Sequence, residues 1–203
     1  MEWIVVSLAS LLAGFVDAIV GGGGLILTPA LFAVFPTTHP ATLFGTNKSA
    51  SIWGTAAATW QFSRRVQIRW STMLPAAAVG FAASFGGAWL VTIVAPDFLR
   101  KLLPGTGSFL VFLFVRWLGY DFLNASASAK LLNTATNFAA LILFTLKGHV
   151  WWHYAVVLAV ANVVGSVLGT RMALKHGTGF VRVVFIFVVS ALILKTGYDA
   201  FLR

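Results

Sequence analysis

Long apolar runs, separated by short polar or glycine-rich gaps, dominate the chain. Residues 3–20 form the first; Gly21 to Gly24 interrupt it, and Leu25 to Phe35 resume it. Pro36, His39 and Pro40 mark a turn. Further runs cover about 46–62 and 72–95, followed by a short piece, 98–104, that ends at Pro104. Residues 107–118 are apolar but too short to span a bilayer. The last runs are 125–146, 152–173 and 180–202. None alternates with the period of two that marks a half-buried strand. Only helices and closed barrels cross a bilayer, and these continuous runs predict helices. The expected fold class is all-α: a polytopic transmembrane helix bundle with glycine-broken helices.

Composition supports that class. Of 203 residues, 59% are hydrophobic and 9% charged, with a mean hydropathy of +0.91. Soluble domains carry roughly 45–50% apolar and about 25% charged residues, and disorder requires low hydrophobicity. At about 20 residues per span, the length admits at most roughly seven or eight helices. Fourteen Lys and Arg against five Asp and Glu leave a net charge of +9. The cations lie in gaps between runs (Arg64, Arg65 and Arg69, then Arg171, Lys175 and Arg182), the pattern of cytoplasmic loops. Lipid headgroups are therefore the expected partner; nucleic acid is not, since no basic stripe is present. There is no cysteine, which removes disulfides, thiolate zinc sites and thiol catalysis. Glu2 stands where a signal peptide carries Lys or Arg, so the first run reads as a retained helix.

The chain also repeats. A shift of 82 residues lays Lys48 on Lys130, Ala57-Ala58 on Ala139-Ala140, Phe62 on Phe144, Trp70 on Trp152, Ser84 on Ser166, Gly87 on Gly169, Phe98 on Phe180 and Arg100 on Arg182. Two transmembrane repeats follow, 1–104 and 105–203. The first opens with a full helix ahead of its glycines. The second lacks one, because Leu102-Leu103-Pro104 runs straight into Gly105-Thr106-Gly107. Duplicated halves with a site between them near the midplane are a common build of secondary transporters.

Candidate chemistry concentrates in few places. Four consecutive glycines unwind a helix, each costing roughly 0.8–1 kcal/mol against alanine. Gly21, Gly22, Gly23 and Gly24 would expose N–H groups at the positive end of the resumed half-helix, which suits an anion; the alternative is close packing on small residues. Gly105, Thr106, Gly107 and Ser108 form the weaker counterpart. Lys48, following Gly45-Thr46-Asn47, is expected to open the second helix, with Lys130 as its mate. Lys130, Asn133 and Asn137 lie at i, i+3 and i+7 on one helix face, as do Lys48, Ser51 and Thr55. Snorkelling to the headgroups is the alternative for both lysines. Asp17, an intramembrane carboxylate, is paired or functional by default: it neutralises Lys48 or Lys130, or binds a coupling proton. His149 and His153 have a metal-compatible i, i+4 spacing but no third ligand nearby, and read as an interfacial helix start. Trp60, Trp70, Trp117, Trp151 and Trp152 read as belt anchors. The Asn124-Ala125-Ser126 sequon is a weak three-residue match. No paired acids, Ser-His-Asp set or metal box is visible, so neither an enzyme nor a cofactor or resident metal is expected.

Ala13-Gly14-Phe15-Val16-Asp17-Ala18-Ile19-Val20, the four glycines and Leu27-Thr28-Pro29-Ala30-Leu31 together resemble the opening signature of the TauE/SafE family. Gly45-Thr46-Asn47-Lys48 resembles its next motif, Gly105 to Phe109 its second glycine motif, and Gly119-Tyr120-Asp121-Phe122 with Lys130-Leu131-Leu132-Asn133 and Thr136-Asn137 the stretch that follows. The resemblance implies an exporter of sulfite or organosulfonates in the bacterial inner membrane. It also implies a missing segment at Pro104/Gly105, where family members carry a helix, a polar loop and another helix with the Asp17 counterpart. The expected function is movement of a small anion. Gly21 to Gly24, Gly105 to Ser108, Lys48, Lys130, Thr46, Asn47, Asn133 and Asn137 would form its shell, and Asp17 would couple protons. An uncoupled channel and a non-transporting membrane subunit are the rivals, and homo-oligomerisation stays open.

Overall fold

The computed structural model describes residues 1–94 and 121–201, with side chains to Ala191. All regular structure among these residues is helical. The expectations on 98–104, Gly105 to Ser108, 107–118 and Trp117 lie outside them. Six helices are described: α1 (Glu2–Val20), α2 (Gly24–Val34), α3 (Pro40–Ser63), α4 (Trp70–Ile93), α5 (Phe122–Leu146) and α6 (Trp152–Phe201). Helices α1, α4, α5 and α6 are long and apolar enough to cross a membrane.

Two helices start earlier than their apolar runs, and their caps explain why. Pro40 takes the first position of α3, where its fixed φ suits a helix start, and His39 Nδ1 accepts from the Ala41 N–H at 3.2 Å. Asp121 caps α5 by accepting from the N–H groups of Leu123 and Asn124 at 2.9 and 3.0 Å, and Thr178 Oγ1 donates to it at 3.2 Å. Partial burial raises the Asp121 carboxyl, but the bonds from Asn124, Leu123 and Thr178 outweigh it and hold the group below the usual carboxylate range. The early starts correct one expectation. Lys48 lies about two turns inside its helix rather than at the opening, as its mate Lys130 does in α5, beyond the reach of the helix-end dipole.

The runs 152–173 and 180–202 join as α6, divided at Gly177 with φ 70 and ψ −163. Its apolar part, Trp152–Ala191, is 40 residues long, about twice one crossing. Arg171, Lys175 and Arg182 are exposed on helix either side of this break rather than in a loop between helices.

Helix α3 is the most polar element and lies in the middle, against α1, α2, α5 and α6. Protein on its sides permits Thr46, Asn47, Ser49 and Thr55 to be buried there, since polar groups at membrane depth must face protein or water. Helix α1 runs along α6 on a seam of small residues. A Cβ at Gly14 would meet the Asn162 carbonyl; one at Gly165 would land on the Leu11 carbonyl and one at Gly169 on that of Phe15. Gly165 and Gly169 form the small-xxx-small spacing that brings membrane helices into backbone contact.

Several contacts recur at the 82-residue shift. Ser166 Oγ donates to the Gly54 carbonyl at 2.6 Å, and their counterparts do likewise: Ser84 Oγ donates to the Thr136 carbonyl at 2.8 Å. Asn137 Nδ2 reaches Thr55 Oγ1, its own counterpart, at 3.5 Å. Helix α3 packs on α6 as α5 packs on α4. Thr170, whose counterpart is Ala88, is fully buried, and its hydroxyl has no hydrogen-bond partner among the described residues. Leaving a hydroxyl unsatisfied costs roughly 1–3 kcal/mol. Thr170→Val keeps the shape without the hydroxyl and is expected to raise the thermal midpoint in detergent; a lower midpoint would show that the hydroxyl has a partner.

The connection from α5 to α6 is stapled onto the start of α3. Trp151 N–H donates to Thr46 Oγ1 at 3.1 Å, Thr42 Oγ1 meets His149 Nδ1 at 3.4 Å, and the His149 and His39 rings stack 5.4 Å apart. His149 therefore precedes α6, and no helical i, i+4 pair with His153 exists. His153 packs against Trp3, Trp151 and Tyr154 instead. Trp151 is part of an aromatic cluster with Phe35 and Tyr154, whereas Trp60, Trp70 and Trp152 are exposed as belt anchors should be. Burial, then the charges of His39 and Lys147, lower the His149 pKa. A depressed histidine pKa favours the fold above the unfolded value of about 6.5 and loses that contribution as pH falls through the folded value. Acidification below about pH 6.5 should thus lower the melting midpoint, and His149→Phe should flatten the curve. An unchanged pH profile in the variant would remove His149 from this role.

Candidate binding site at the glycine break

The break between α1 and α2 takes the form that four glycines allow. Gly21 and Gly22 have φ of 82 and 89, the left-handed region that glycine enters without steric cost. A Cβ on Gly23 would stand 2.6 Å from the Ala13 carbonyl and 2.7 Å from Asp17 Cβ. Gly21 to Gly23 are buried and Gly24 is exposed.

An anion already sits at this break, and it belongs to the chain. Asp17 Oδ1 accepts from the Gly23 N–H at 3.0 Å, while Asp17 Oδ2 accepts from Lys130 Nζ at 3.3 Å. The Lys130 side chain is fully buried and that of Asp17 is 17% exposed. Of the two lysines that sequence offered as partners, Lys130 on α5 makes the ion pair. This is the one ion pair among the described residues, and Lys48 has no carboxylate within 4 Å there.

Lys48 turns to a neutral partner. Its Nζ donates to Asn137 Oδ1 at 3.0 Å, across the α3–α5 contact. Asn137 is buried and its Nδ2 goes to Thr55, so the two polar stripes read from the sequence do face each other. Asn133 is half-buried, and its amide has no hydrogen bond among the described residues. Asn47 lies beside the break: its Nδ2 donates to Thr28 Oγ1 at 2.7 Å and its Oδ1 accepts from Ser51 at 3.1 Å. Thr46 points elsewhere. Its hydroxyl is taken by the Thr42 carbonyl and Trp151 N–H, so it holds the α5–α6 connection and does not join Lys48.

Three polar contributors escaped the sequence reading. Thr28 orients Asn47. Asn162 donates to the Ser10 carbonyl at 3.1 Å, and Ser10 Oγ donates to the Leu158 carbonyl at 2.7 Å, tying α1 to α6. The available signal was a lone asparagine inside an apolar run. Ser126 of the sequon is buried and donates to the Ile19 carbonyl at 2.6 Å, which gives it a packing role. No group of three metal-ligating side chains occurs among the described residues.

The sulfite exporter TauE/SafE family matches the chain over residues 6–105 and 102–196. Among curated proteins, the chain is similar to the probable membrane transporter protein YfcA of Escherichia coli strain K12, 31% identical over 238 residues, covering 94% of this chain and 88% of the relative. It is also similar to the probable membrane transporter protein ORF9 of Sinorhizobium sp, 29% identical over 92% of this chain and 89% of that one. A probable membrane transporter protein of Haemophilus influenzae is 26% identical, with 92% and 91% covered. The first alignment is longer than the 203 residues of this chain, so it places gaps opposite residues that the relative has and this chain lacks. No solved structure matches.

Proposed function

Because this chain belongs to the TauE/SafE family of membrane transporters, we propose that it moves a small oxyanion, sulfite or an organosulfonate, in exchange for the contact between Asp17 and Lys130. An integral membrane transporter needs a small substrate and a lipid surround; the finer reading rests on one observation. Two lysines, Lys130 and Lys48, face the bundle interior against a single carboxylate among the described residues. The surplus positive charge favours an anion. Asp17 occupies the Gly23 N–H and the Lys130 ammonium in the place a substrate oxyanion would take. Protonating Asp17 weakens both contacts and releases two donors at once, which couples anion binding to a proton. Asn133 and Asn137 supply further amide donors beside the lysines.

The two halves are read as repeats, on the recurring contacts between α3 and α6 and between α5 and α4. A Cβ at Gly87, the counterpart of Gly169, would meet nothing within 4 Å among the described residues.

The test is sulfite flux in proteoliposomes under an imposed proton gradient. Lys48→Gln is expected to reduce flux roughly tenfold or more, as the loss of a charge-assisted bond of ~1.5–3 kcal/mol implies. Asp17→Asn, a mimic of the protonated acid, should pass anion without responding to the gradient. Unchanged flux in Lys48→Gln would sink the anion reading; gradient-dependent flux in Asp17→Asn would sink the coupling.

A further inference from the structure

The connection between α3 and α4 carries a charged face outside the site proposed above. Along residues 65–69, exposed Arg65, Gln67 and Arg69 alternate with half-buried Val66 and Ile68. Val66 and Ile68 pack against the core cluster that contains Phe62 and Met73. The N–H groups of Arg65 and Val66 both donate to the Phe62 carbonyl, at 2.9 and 2.7 Å. The segment is thus pinned from beneath, and its long polar side chains leave from the outer side.

The surroundings set its depth. Trp60, on the last turn of α3, is 59% exposed, and Trp70, the first residue of α4, is 48% exposed. Exposed tryptophans at both helix ends mark the membrane–water interface. The Arg64 guanidinium lies over the Trp60 ring, 4.3 Å from its centroid, which holds the charge at that level. Between the two tryptophans, Ser63, Arg64, Arg65 and Gln67 line an open cavity of about 470 Å³. That volume falls within the ~300–1,000 Å³ usual for small-ligand pockets. No acidic residue occurs between Asp17 and Asp97, and among the described residues neither Arg64 nor Arg65 pairs with a carboxylate. Sixteen residues of helix separate Lys48 from Arg64, about 24 Å at 1.5 Å per residue, so this is a place apart from the glycine break.

We propose that this pocket binds the phosphate of an anionic phospholipid headgroup. Arginine forks match phosphate oxygens in pairs, Gln67 adds a neutral donor while the Ser63 hydroxyl donates to the Trp60 carbonyl at 2.9 Å, and the flanking indoles rest against the glycerol and upper chains. Anionic lipid enriches at the leaflet that arginine-rich loops face. A free phosphate presents the same oxygens, but the tryptophan depth and the apolar flanks favour the lipid.

The purified full-length chain in mild detergent would be melted with dihexanoyl phosphatidylglycerol, with dihexanoyl phosphatidylcholine, and with inorganic phosphate. Phosphatidylglycerol is expected to raise the midpoint by several degrees and the other two to leave it in place. Arg64→Gln with Arg65→Gln should abolish that rise while keeping the midpoint in phosphatidylcholine. Arg171→Gln with Lys175→Gln, an exposed basic pair elsewhere, should keep the rise. Equal stabilisation by inorganic phosphate would overturn the lipid assignment. Persistence of the rise in the Arg64/Arg65 variant, or its loss in the Arg171/Lys175 variant, would overturn the site.

Discussion

Lys130→Ala is expected to destabilise the protein by about 3–5 kcal/mol, the usual cost of removing one partner from a buried ion pair. The Lys130 side chain is fully buried against Asp17, and its loss leaves a carboxylate at membrane depth held by the Gly23 N–H alone. The penalty comes from the stranded charge more than from the lost attraction. Adding Asp17→Asn should therefore restore much of the stability, because a neutral amide no longer needs a cation. Detergent melts of the single and double variants decide the matter. If both fall equally, the pair contributes through packing and the charge account is wrong. Transport separates the two roles: the double variant should fold yet move no anion, since Lys130 is also proposed as a ligand.

Glycines in this protein should divide sharply by position. Gly165→Val is expected to prevent accumulation of folded protein, or to destabilise it by more than the ~1–3 kcal/mol typical of overpacking. Its side chain would fall on the Leu11 carbonyl, with the Phe15 nitrogen 2.9 Å away, and backbone cannot rotate aside as a side chain can. Gly54→Val should behave similarly, since a Cβ there meets the Asn162 side-chain oxygen. Gly86→Ala and Gly87→Ala, where a Cβ meets nothing within 4 Å among the described residues, should be neutral, or stabilising by up to ~1 kcal/mol through helix propensity. Fluorescence-detected size exclusion of the four variants reads this directly. Tolerance of valine at Gly165 would mean that α1 does not lie against α6 as described.

Much of the bundle was legible from local chemistry. Residues 3–20 became Glu2–Val20, 72–95 became Trp70–Ile93, and 125–146 became Phe122–Leu146, because a run of apolar side chains at bilayer length leaves the backbone no better option than a helix. The errors lie at starts set by caps. Pro40 with His39, and Asp121, extended α3 and α5 toward their N-termini, and polar caps are invisible to hydropathy. The same oversight placed Lys48 at a helix opening when it sits inside. The lysine stripes survived the correction because residues three and seven apart share a face wherever the helix begins.

The site was legible as a set of residues and not as a set of partners. Asp17, Lys130 and the glycines could be named from their cost at membrane depth, a property of each residue alone. Which lysine meets Asp17, whether Thr46 faces the substrate or the α5–α6 connection, and whether the Gly23 N–H is open or already capped depend on how helices rotate about their axes. Rotation is set by contacts between residues more than a hundred positions apart, such as Gly165 against Leu11 and Ser166 against Gly54. One sequence read along its length holds the residues of those contacts without their pairing. Helical class, bilayer length and the residue types at the break thus follow from composition and order; the occupancy of the break follows from close packing of α1, α3, α5 and α6, which forces the side chains of one helix into the gaps of another.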